Sequence, residues 1–246
     1  ILDTLMKLDD ISFDTVMGVS AGALFGMNVK SEQIGRALRY NLKYINNKRY
    51  MGVYSLLTTG NIMNKEFCFT DVAYKLDPVD FDTFRNSKVI FYAVVTNIET
   101  GKAEYIRIDD ADKSMEYLRA SGSLPFVSKP VEIDGKKYLD GGISDSIPIE
   151  KIMEMDFDRV IVILTRPAGY RKKKSGVSFS RLFYGKYPGF ADAIDGRYLM
   201  YNKQSEFVEK LENDKRIFVF RPSEVVRMKR IEKDTQKLQR MYDLGV

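Results

Sequence analysis

The stretch MGVSAGA, residues 17–23, decides the fold of this chain. An apolar and β-branched run, FDTVM at residues 13–17, leads into it and predicts a buried strand. Small and apolar residues then continue to Met27, which is typical of a helix. A Gly-x-Ser-x-Gly turn between a strand and a helix lifts its serine hydroxyl onto a sharp corner, with helix N–H groups behind it. The stretch therefore predicts that Ser20 is a nucleophile on a strand–turn–helix corner.

Two glycines flank this serine, and we predict that both have a steric role. A Cβ atom at Gly18 or Gly22 would crowd a turn this tight, and a nucleophile on a strained backbone needs small neighbours. A bare Gly-x-Ser-x-Gly pattern also arises in turns that carry no chemistry. The strand before it and the helix after it favour the catalytic interpretation here.

Length and composition limit what the chain can be. With 246 residues, 44% of them hydrophobic, it is long enough for one sizeable α/β domain. No apolar run approaches the ~20 residues of a membrane span, and no signal-peptide pattern is present. Ile1 is not an initiator methionine and falls in a predicted helix, so we expect further residues upstream. The single cysteine, Cys68, precludes an internal disulfide and fits core packing in a cytoplasmic protein.

The chain contains no histidine. Without histidine, and with a single cysteine, it has no zinc ligand set, so we predict neither a metal nor another cofactor. A serine hydrolase of the usual kind activates its hydroxyl with an imidazole. If Ser20 is a nucleophile, its base is therefore a carboxylate or a lysine.

A carboxylate in a suitable context lies in a second informative stretch, ASGSLPFVSKPVEIDGKKYLDGG at residues 120–142. Asp-Gly at positions 134–135 predicts a tight hairpin turn, and Asp140 ends the second strand of that hairpin. Two glycines follow and permit a close approach of the backbone. Alone, Asp-Gly-Gly is more typical of a plain turn, but beside Ser20 in a chain without histidine it makes Asp140 the candidate base. Asp145 is a second candidate, although its position is more typical of a helix entry.

Three motifs together resemble the patatin-like phospholipase family. They are GVSAG at 18–22, ASGSLP at 120–125 and DGG at 140–142. The resemblance covers about residues 1–165 and implies a Ser-Asp dyad that hydrolyses carboxylic esters of phospholipids or related acyl lipids through an acyl-enzyme. By motif position it implies Ser20 as the nucleophile and Asp140 as the general base. The supporting motif residues are Gly18, Gly22, Gly141 and Gly142.

The resemblance also implies an oxyanion hole. One donor would be the backbone N–H of Ala21, and the others would come from a glycine-rich loop ahead of the first helix. That loop is not in this sequence, and losing one such donor typically lowers turnover by ~10²–10³. The alternative is a non-catalytic protein of the same fold that binds a lipid or a partner, with an incomplete oxyanion hole.

Strands that alternate with helices predict an α/β fold with three layers, α/β/α, around a largely parallel central sheet. Predicted hairpins at 88–108 and 131–139 make that sheet mixed. We predict a patatin-like catalytic core at 1–165, and a basic loop with helices and a strand at 166–246 that complete the same domain. The less regular predictions are a helix capped by Ser31, an irregular segment at 50–62, a helix at 192–213, a strand at 216–220 and a last helix from about Ser223.

The charge is uneven along the chain. Residues 1–165 carry 20 Lys and Arg against 24 Asp and Glu, whereas residues 166–246 carry 19 against 10. This asymmetry predicts an anionic partner surface, phospholipid rather than nucleic acid, and peripheral contact with a membrane. Aromatic residues and cations are interleaved at 166–190, in what we predict is a mobile loop; the alternative is a solvated loop without a partner. The candidate lipid contacts are Arg171, Lys172, Lys173, Lys174, Phe179 and Phe183.

Overall fold

The computed structural model of the chain describes residues 1–174, 176, 178–224, 228, 229 and 231–246. The strands are β1 (Thr15–Val19), β2 (Ile90–Asn97), β3 (Ala103–Arg107), β4 (Val131–Ile133), β5 (Lys136–Asp140), β6 (Ile161–Ile163) and β7 (Phe218–Phe220). The α-helices are α1 (Leu2–Leu5), α2 (Ala21–Lys30), α3 (Arg36–Tyr44), α4 (Val53–Thr59), α5 (Phe81–Asn86), α6 (Met115–Ser121), α7 (Ile149–Met153), α8 (Ser180–Tyr184), α9 (Pro188–Asn213) and α10 (Thr235–Asp243). A π-helix spans Phe67–Leu76 and a 3-10 turn spans Gly141–Ile143.

A mixed five-stranded sheet lies at the centre of the fold, with β2 as its middle strand. The mixed α/β class is confirmed, but the largely parallel sheet that we predicted is wrong. Among the described strands of this sheet, β1 and β2 are the one parallel pair, while β2 with β3, β2 with β5 and β4 with β5 pair antiparallel. The two hairpins, β2–β3 and β4–β5, are both inserted into this sheet, and short turns join strands antiparallel. The strands β6 and β7 pair in parallel in a separate two-stranded sheet.

The strands β1 and β5 lie end to end along the same edge of β2. Val94 pairs with Val19 of β1, and the next residue, Val95, pairs with Asp140 of β5. Val94 and Val95 also pair with residues of β3, which lies along the opposite edge of β2. Since β1 runs parallel to β2 and β5 antiparallel, the carboxyl ends of β1 and β5 meet. This register brings Ser20 beside Asp140.

Helices cover both faces of the sheet. Adjacent residues of a strand point to opposite faces, and Tyr138 and Leu139 of β5 show what lies on each. Tyr138 packs in a cluster with Ala120 of α6, whereas Leu139 packs in a cluster with Phe190 of α9. The three-layer α/β/α arrangement follows from these two contacts.

The helix α3 begins later than predicted. Ser31 follows the last residue of α2, and the chain then passes through two residues with left-handed φ, +53° at Glu32 and +76° at Gly35. This turn interrupts the helical path, so that α3 starts only at Arg36. The segment 50–62, predicted as irregular, contains α4, and Gly60 caps the end of that helix with a φ of +76°.

The last helix also begins later than predicted, at Thr235. The carboxylate of Asp234 caps it by accepting hydrogen bonds from the N–H groups of Gln236 and Lys237. Of the segment that follows the predicted start at Ser223, residues 225–227 and 230 lie outside the described residues. The helix α9 begins earlier than predicted, because Pro188 occupies its first turn, where the fixed φ of proline suits a helix.

Candidate active site

The corner between β1 and α2 carries Ser20 on a strained backbone. Its φ is +55° and its ψ is −123°, a region that non-glycine residues rarely adopt and that costs about 1–3 kcal/mol. A Cβ atom on Gly18 would lie 2.5 Å from Cα of Ala23, so only glycine fits before the turn. Gly22 is exposed, and apart from its chain neighbours and the backbone of its own helix, a Cβ atom there would meet no heavy atom of the described residues within 4 Å. The steric role that we predicted for Gly22 is therefore wrong.

The hydroxyl of Ser20 and the carboxylate of Asp140 form a short hydrogen bond. Ser20 Oγ donates to Oδ2 of Asp140 over 2.5 Å. The second carboxylate oxygen, Oδ1, accepts from the backbone N–H of Gly142 over 2.8 Å. Asp140 is only 1% exposed. One oxygen is thus held by the backbone while the other faces the hydroxyl, which is the geometry that a general base needs.

Burial sets the basicity of this carboxylate. Burial raises the pKa of Asp140, and the hydrogen bonds from Ser20 and Gly142 and the charges of Arg197 and Lys172 oppose only part of that rise. A carboxylate with a raised pKa is a better base for a hydroxyl than one in water. The environment therefore strengthens Asp140 for proton abstraction.

The two glycines after Asp140 allow the backbone to approach its neighbours closely. A Cβ atom on Gly141 would lie 2.1 Å from the carbonyl oxygen of Val94 on β2. A Cβ atom on Gly142 would lie 3.0 Å from Oδ1 of Asp140 and 3.2 Å from Nη2 of Arg197. Glycine at these positions lets the loop pass between the sheet, the carboxylate and a cation.

The segment ASGSLP at 120–125 joins the two halves of the site. Ser121 Oγ accepts from the N–H of Ser20 over 3.0 Å and donates to the carbonyl of Val94 over 2.7 Å. The carbonyl of Ser123 accepts from the N–H of Asp140 over 2.8 Å. The sequence motif did not indicate a role for these serines. In the structure, their hydrogen bonds link the corner at Ser20 and the end of β5 to the same segment.

The N-terminus of α2 offers hydrogen-bond donors beside Ser20. The N–H groups of Ala21 and Gly22 belong to the first turn of α2 and have no acceptor within their own helix. Ala21 is an exposed residue, and an N–H group at a helix N-terminus can stabilise a negatively charged oxygen. That the rest of the oxyanion hole comes from an upstream glycine-rich loop stays a prediction.

Asp145, the second candidate base, makes different contacts. Its carboxylate accepts from the hydroxyl of Tyr105 over 2.6 Å and from Nε2 of Gln204 over 2.6 Å. These partners occupy both of its oxygens. Asp145 therefore ties β3 and α9 to the loop after Asp140.

The six predicted lipid contacts divide into two groups. Arg171 and Lys172 turn toward α9: Arg171 pairs with Glu209 over 2.6 Å, and Nζ of Lys172 lies 3.9 Å from the ring centroid of Tyr201. Burial and the nearby charges of two arginines lower the pKa of Lys172 to about 7. The outward group consists of Lys173, Lys174, Phe179 and Phe183, which are all exposed.

Sequence reasoning missed Arg197, which lies on α9. Its Nε donates to the carbonyl of Gly142 over 2.6 Å. The residue type alone does not predict this contact, because an arginine in a long polar helix is most often solvent-facing. The only available signal would have been the i, i+4, i+7 spacing of Arg197, Tyr201 and Gln204, which places them on one helix face.

Comparisons with known proteins divide the chain into two matched regions. Residues 1–153 match the patatin-like phospholipase family, and residues 187–246 match a domain of unknown function (DUF6363). The chain is 26% identical over 172 residues to the "Uncharacterized protein YjjU" of Escherichia coli K12, which covers 68% of this chain and 48% of that protein. It is 33% identical over 73 residues to the "Uncharacterized NTE family protein Rv1063c" of Mycobacterium tuberculosis, covering 30% of this chain and 19% of that protein. The chain thus spans about half the length of the first relative and less of the second.

Proposed function

The chain belongs to the patatin-like phospholipase family, and from that premise we propose that it hydrolyses carboxylic ester bonds of acyl lipids with Ser20 as nucleophile and Asp140 as base. The observation that carries the proposal is the 2.5 Å hydrogen bond from Ser20 Oγ to Oδ2 of Asp140. It joins two residues 120 positions apart, at the meeting point of two strand ends. A hydroxyl on a strained corner, bonded to a buried carboxylate, is suited to nucleophilic catalysis.

In the first half-reaction, Ser20 Oγ attacks the ester carbonyl while Asp140 Oδ2 takes the hydroxyl proton. The negative charge that develops on the carbonyl oxygen is stabilised by the Ala21 N–H and the N-terminus of α2. The tetrahedral intermediate collapses, its bond to the alkoxide breaks, and Asp140 passes the proton to that leaving group. The products of this step are the free alcohol and an acyl-enzyme on Ser20.

In the second half-reaction, Asp140 accepts a proton from water as the water oxygen attacks the acyl carbonyl. The bond between the acyl carbon and Ser20 Oγ then breaks, Asp140 returns the proton to Oγ, and the fatty acid leaves. The same residues thus serve both half-reactions. An alcohol in place of water would give acyl transfer.

The proposal is tested by two substitutions with matched controls. We expect Ser20→Ala and Asp140→Asn each to lower kcat on p-nitrophenyl acyl esters by on the order of 10³ or more, and by similar factors, because members of a dyad act as a unit. The controls are Ser114→Ala, which removes a hydroxyl that makes no capping bond, and Asp109→Asn, which removes an exposed carboxylate. A series of acyl chain lengths then defines the substrate. Full activity in Ser20→Ala would overturn the assignment of Ser20 as the nucleophile. Absence of activity in the wild type on every ester of the series would favour a non-catalytic lipid-binding protein.

We also propose that an apolar surface around α8 contacts an anionic membrane. We call it the α8 surface: Phe126, Phe179, Leu182 and Phe183. Phe126 and Phe183 stack edge to face with ring centroids 5.4 Å apart, and Leu182 is 77% exposed. The cations Lys173, Lys174 and Lys186 are exposed close to it in sequence. Apolar side chains with flanking cations favour the interface of an anionic bilayer, at about 1 kcal/mol per cation.

Co-sedimentation with vesicles tests this surface. We expect binding to phosphatidylglycerol-containing vesicles that weakens with salt and that Leu182→Asp with Phe183→Asp reduces at least tenfold. Leu199→Asp, at a leucine of α9 that is 60% exposed, is the matched control. Binding that depends neither on the anionic lipid nor on the α8 substitutions would contradict the proposal. No helix within the described part of the chain is both long and apolar enough to cross a bilayer.

A further inference from the structure

One face of α9 contacts the loop that follows the candidate base. Arg197, Tyr201 and Gln204 are spaced i, i+4 and i+7, so they lie on the same side of this helix. Tyr201 packs in one apolar cluster with Ile147 and with α7. Arg197 and Gln204, the polar residues on either side of Tyr201, hydrogen-bond to the two ends of this loop.

At the near end of the loop, Arg197 contacts Gly142, the residue whose N–H binds the Asp140 carboxylate. Its Nε donates to the Gly142 carbonyl over 2.6 Å, while the Gly142 N–H donates to Oδ1 of Asp140 over 2.8 Å. Asp140 Oδ2 in turn accepts from Ser20 Oγ over 2.5 Å. A continuous chain of three hydrogen bonds therefore connects α9 to the nucleophile.

At the far end, Gln204 makes two hydrogen bonds to the same loop. Its Oε1 accepts from the N–H of Ile147 over 3.0 Å, and its Nε2 donates to Oδ1 of Asp145 over 2.6 Å. The loop is thus fixed at both ends by side chains of a single helix. Apolar packing of α9 against the core is supplied separately by buried residues such as Phe190, Val208 and Leu211. The polar contacts go beyond what helix packing needs.

We propose that Arg197 is a positioning residue for the catalytic carboxylate, and that the region matched to a domain of unknown function completes the active site by holding the loop at 140–147. This inference rests on the proposed function. Residues 1–153 supply Ser20 and Asp140, and residues 187–246 supply the groups that fix the orientation of Asp140. A carboxylate misplaced by about 1 Å can lose on the order of 10² in rate.

Arg197 also acts on Asp140 through its charge. Among the described residues, the charged groups that act on this carboxylate are Arg197 from α9 and Lys172 from the segment between β6 and α8, and both lower the pKa that burial raises. Asp140 acts as a base only when ionised, so activity falls as the pH drops through its pKa. Removing the charge of Arg197 therefore moves the acid limb of the pH–rate profile to higher pH, which a purely structural contact would not do.

Three substitutions separate the hydrogen bond from the charge. For Arg197→Ala we expect kcat to fall by about 10–10² with KM nearly unchanged, and the acid limb to move to higher pH. Arg197→Gln keeps an N–H donor without charge, so it should recover kcat in part but keep the displaced limb. Arg197→Lys keeps the charge, so its acid limb should lie close to that of the wild type. Lys210→Ala, at an exposed cation of the same helix, is the matched control and should behave as wild type.

Full-length protein is used throughout, with p-nitrophenyl butyrate as substrate and the rate of fluorophosphonate labelling of Ser20 as a second readout. If Arg197→Ala does not fold, the Gln and Lys variants decide between bond and charge. Unchanged kcat and an unchanged acid limb in Arg197→Ala and Arg197→Gln would overturn the inference. Full activity in Ser20→Ala would instead overturn the proposed function, so the two failures are distinguishable.

Discussion

The corner around Ser20 and the helix α9 approach Asp140 from two sides. The corner contacts Oδ2 of Asp140 through one hydroxyl, and α9 acts on Oδ1 through Gly142. The corner relies on a strained backbone and on glycine, whereas α9 relies on ordinary side chains of a regular helix. Under the proposed function, we expect the first region to carry the chemistry and to tolerate little change. We expect substitutions in the second region, which contacts Asp140 through Gly142, to have smaller and graded effects.

The largest effect should come from the corner. In Gly18→Ala the new Cβ atom would lie 2.5 Å from backbone atoms of Ala23 and Gly22, and no flexible side chain is there to yield. We expect activity to be abolished and the free energy of unfolding to fall by several kcal/mol, about 3 or more. Thermal unfolding and esterase assays measure both.

Gly22→Ala is the matched control for this prediction, because in the described part of the chain a Cβ atom there contacts no other side chain or loop within 4 Å. We expect the Gly22→Ala protein to fold with a stability within about 0.5–1 kcal/mol of the wild type. Equal damage from the two substitutions would show that the corner is not the sterically limited element described above.

The sequence predicts the features of these two regions that depend on residues close together in the chain, and not those that depend on residues far apart. The corner at Ser20 and the turn after Asp140 are local patterns of glycines and strand residues, so the sequence predicts them. The meeting of β1 and β5 on one edge of β2 depends on strand pairing between residues far apart, so the sheet was predicted with too many parallel strands. The inward turn of Lys172 depends on the tyrosine that α9 presents, which the local sequence does not specify.

A second, smaller effect concerns the strain at Ser20 itself. Ser20→Ala and Ser20→Gly both remove the hydroxyl bonded to Asp140. The difference between their free energies of unfolding therefore reports the backbone strain at this position. With φ at +55° and ψ at −123°, glycine fits this conformation and alanine does not. We expect Ser20→Gly to be more stable than Ser20→Ala by about 1–2 kcal/mol in urea unfolding. Equal stability of the two variants would contradict a strained corner.

The smallest effect should come from the α9 side, at Lys172. Burial lowers the pKa of its ammonium to about 7, whereas in the unfolded chain it stays near the ordinary lysine value. Between these two pKa values the unfolded state binds more protons, so the free energy of unfolding rises with pH. Below about pH 7 the half-buried ammonium is charged in the folded state, and its full cost to stability is present. Lys172→Met should therefore raise the unfolding temperature at pH 6, with a smaller gain at pH 10.

Arg171→Met, at a neighbouring cation paired with Glu209, is the control for Lys172→Met. It should lower the unfolding temperature slightly and by a similar amount at both pH values, because arginine stays protonated throughout. A Lys172→Met gain that does not depend on pH would indicate packing rather than the titration of a buried ammonium.

The central claim is that Ser20 carries the acyl group with Asp140 as its base, and trapping of the intermediate tests it most directly. Wild-type protein and Asp140→Asn are mixed with a p-nitrophenyl ester, quenched in acid within the first turnover, and mapped by peptide mass. We predict one acyl group on the Ser20 peptide of the wild type, and accumulation slower by on the order of 10³ in Asp140→Asn. Turnover with no acyl group on Ser20, or acylation at the same rate without Asp140, would contradict the account.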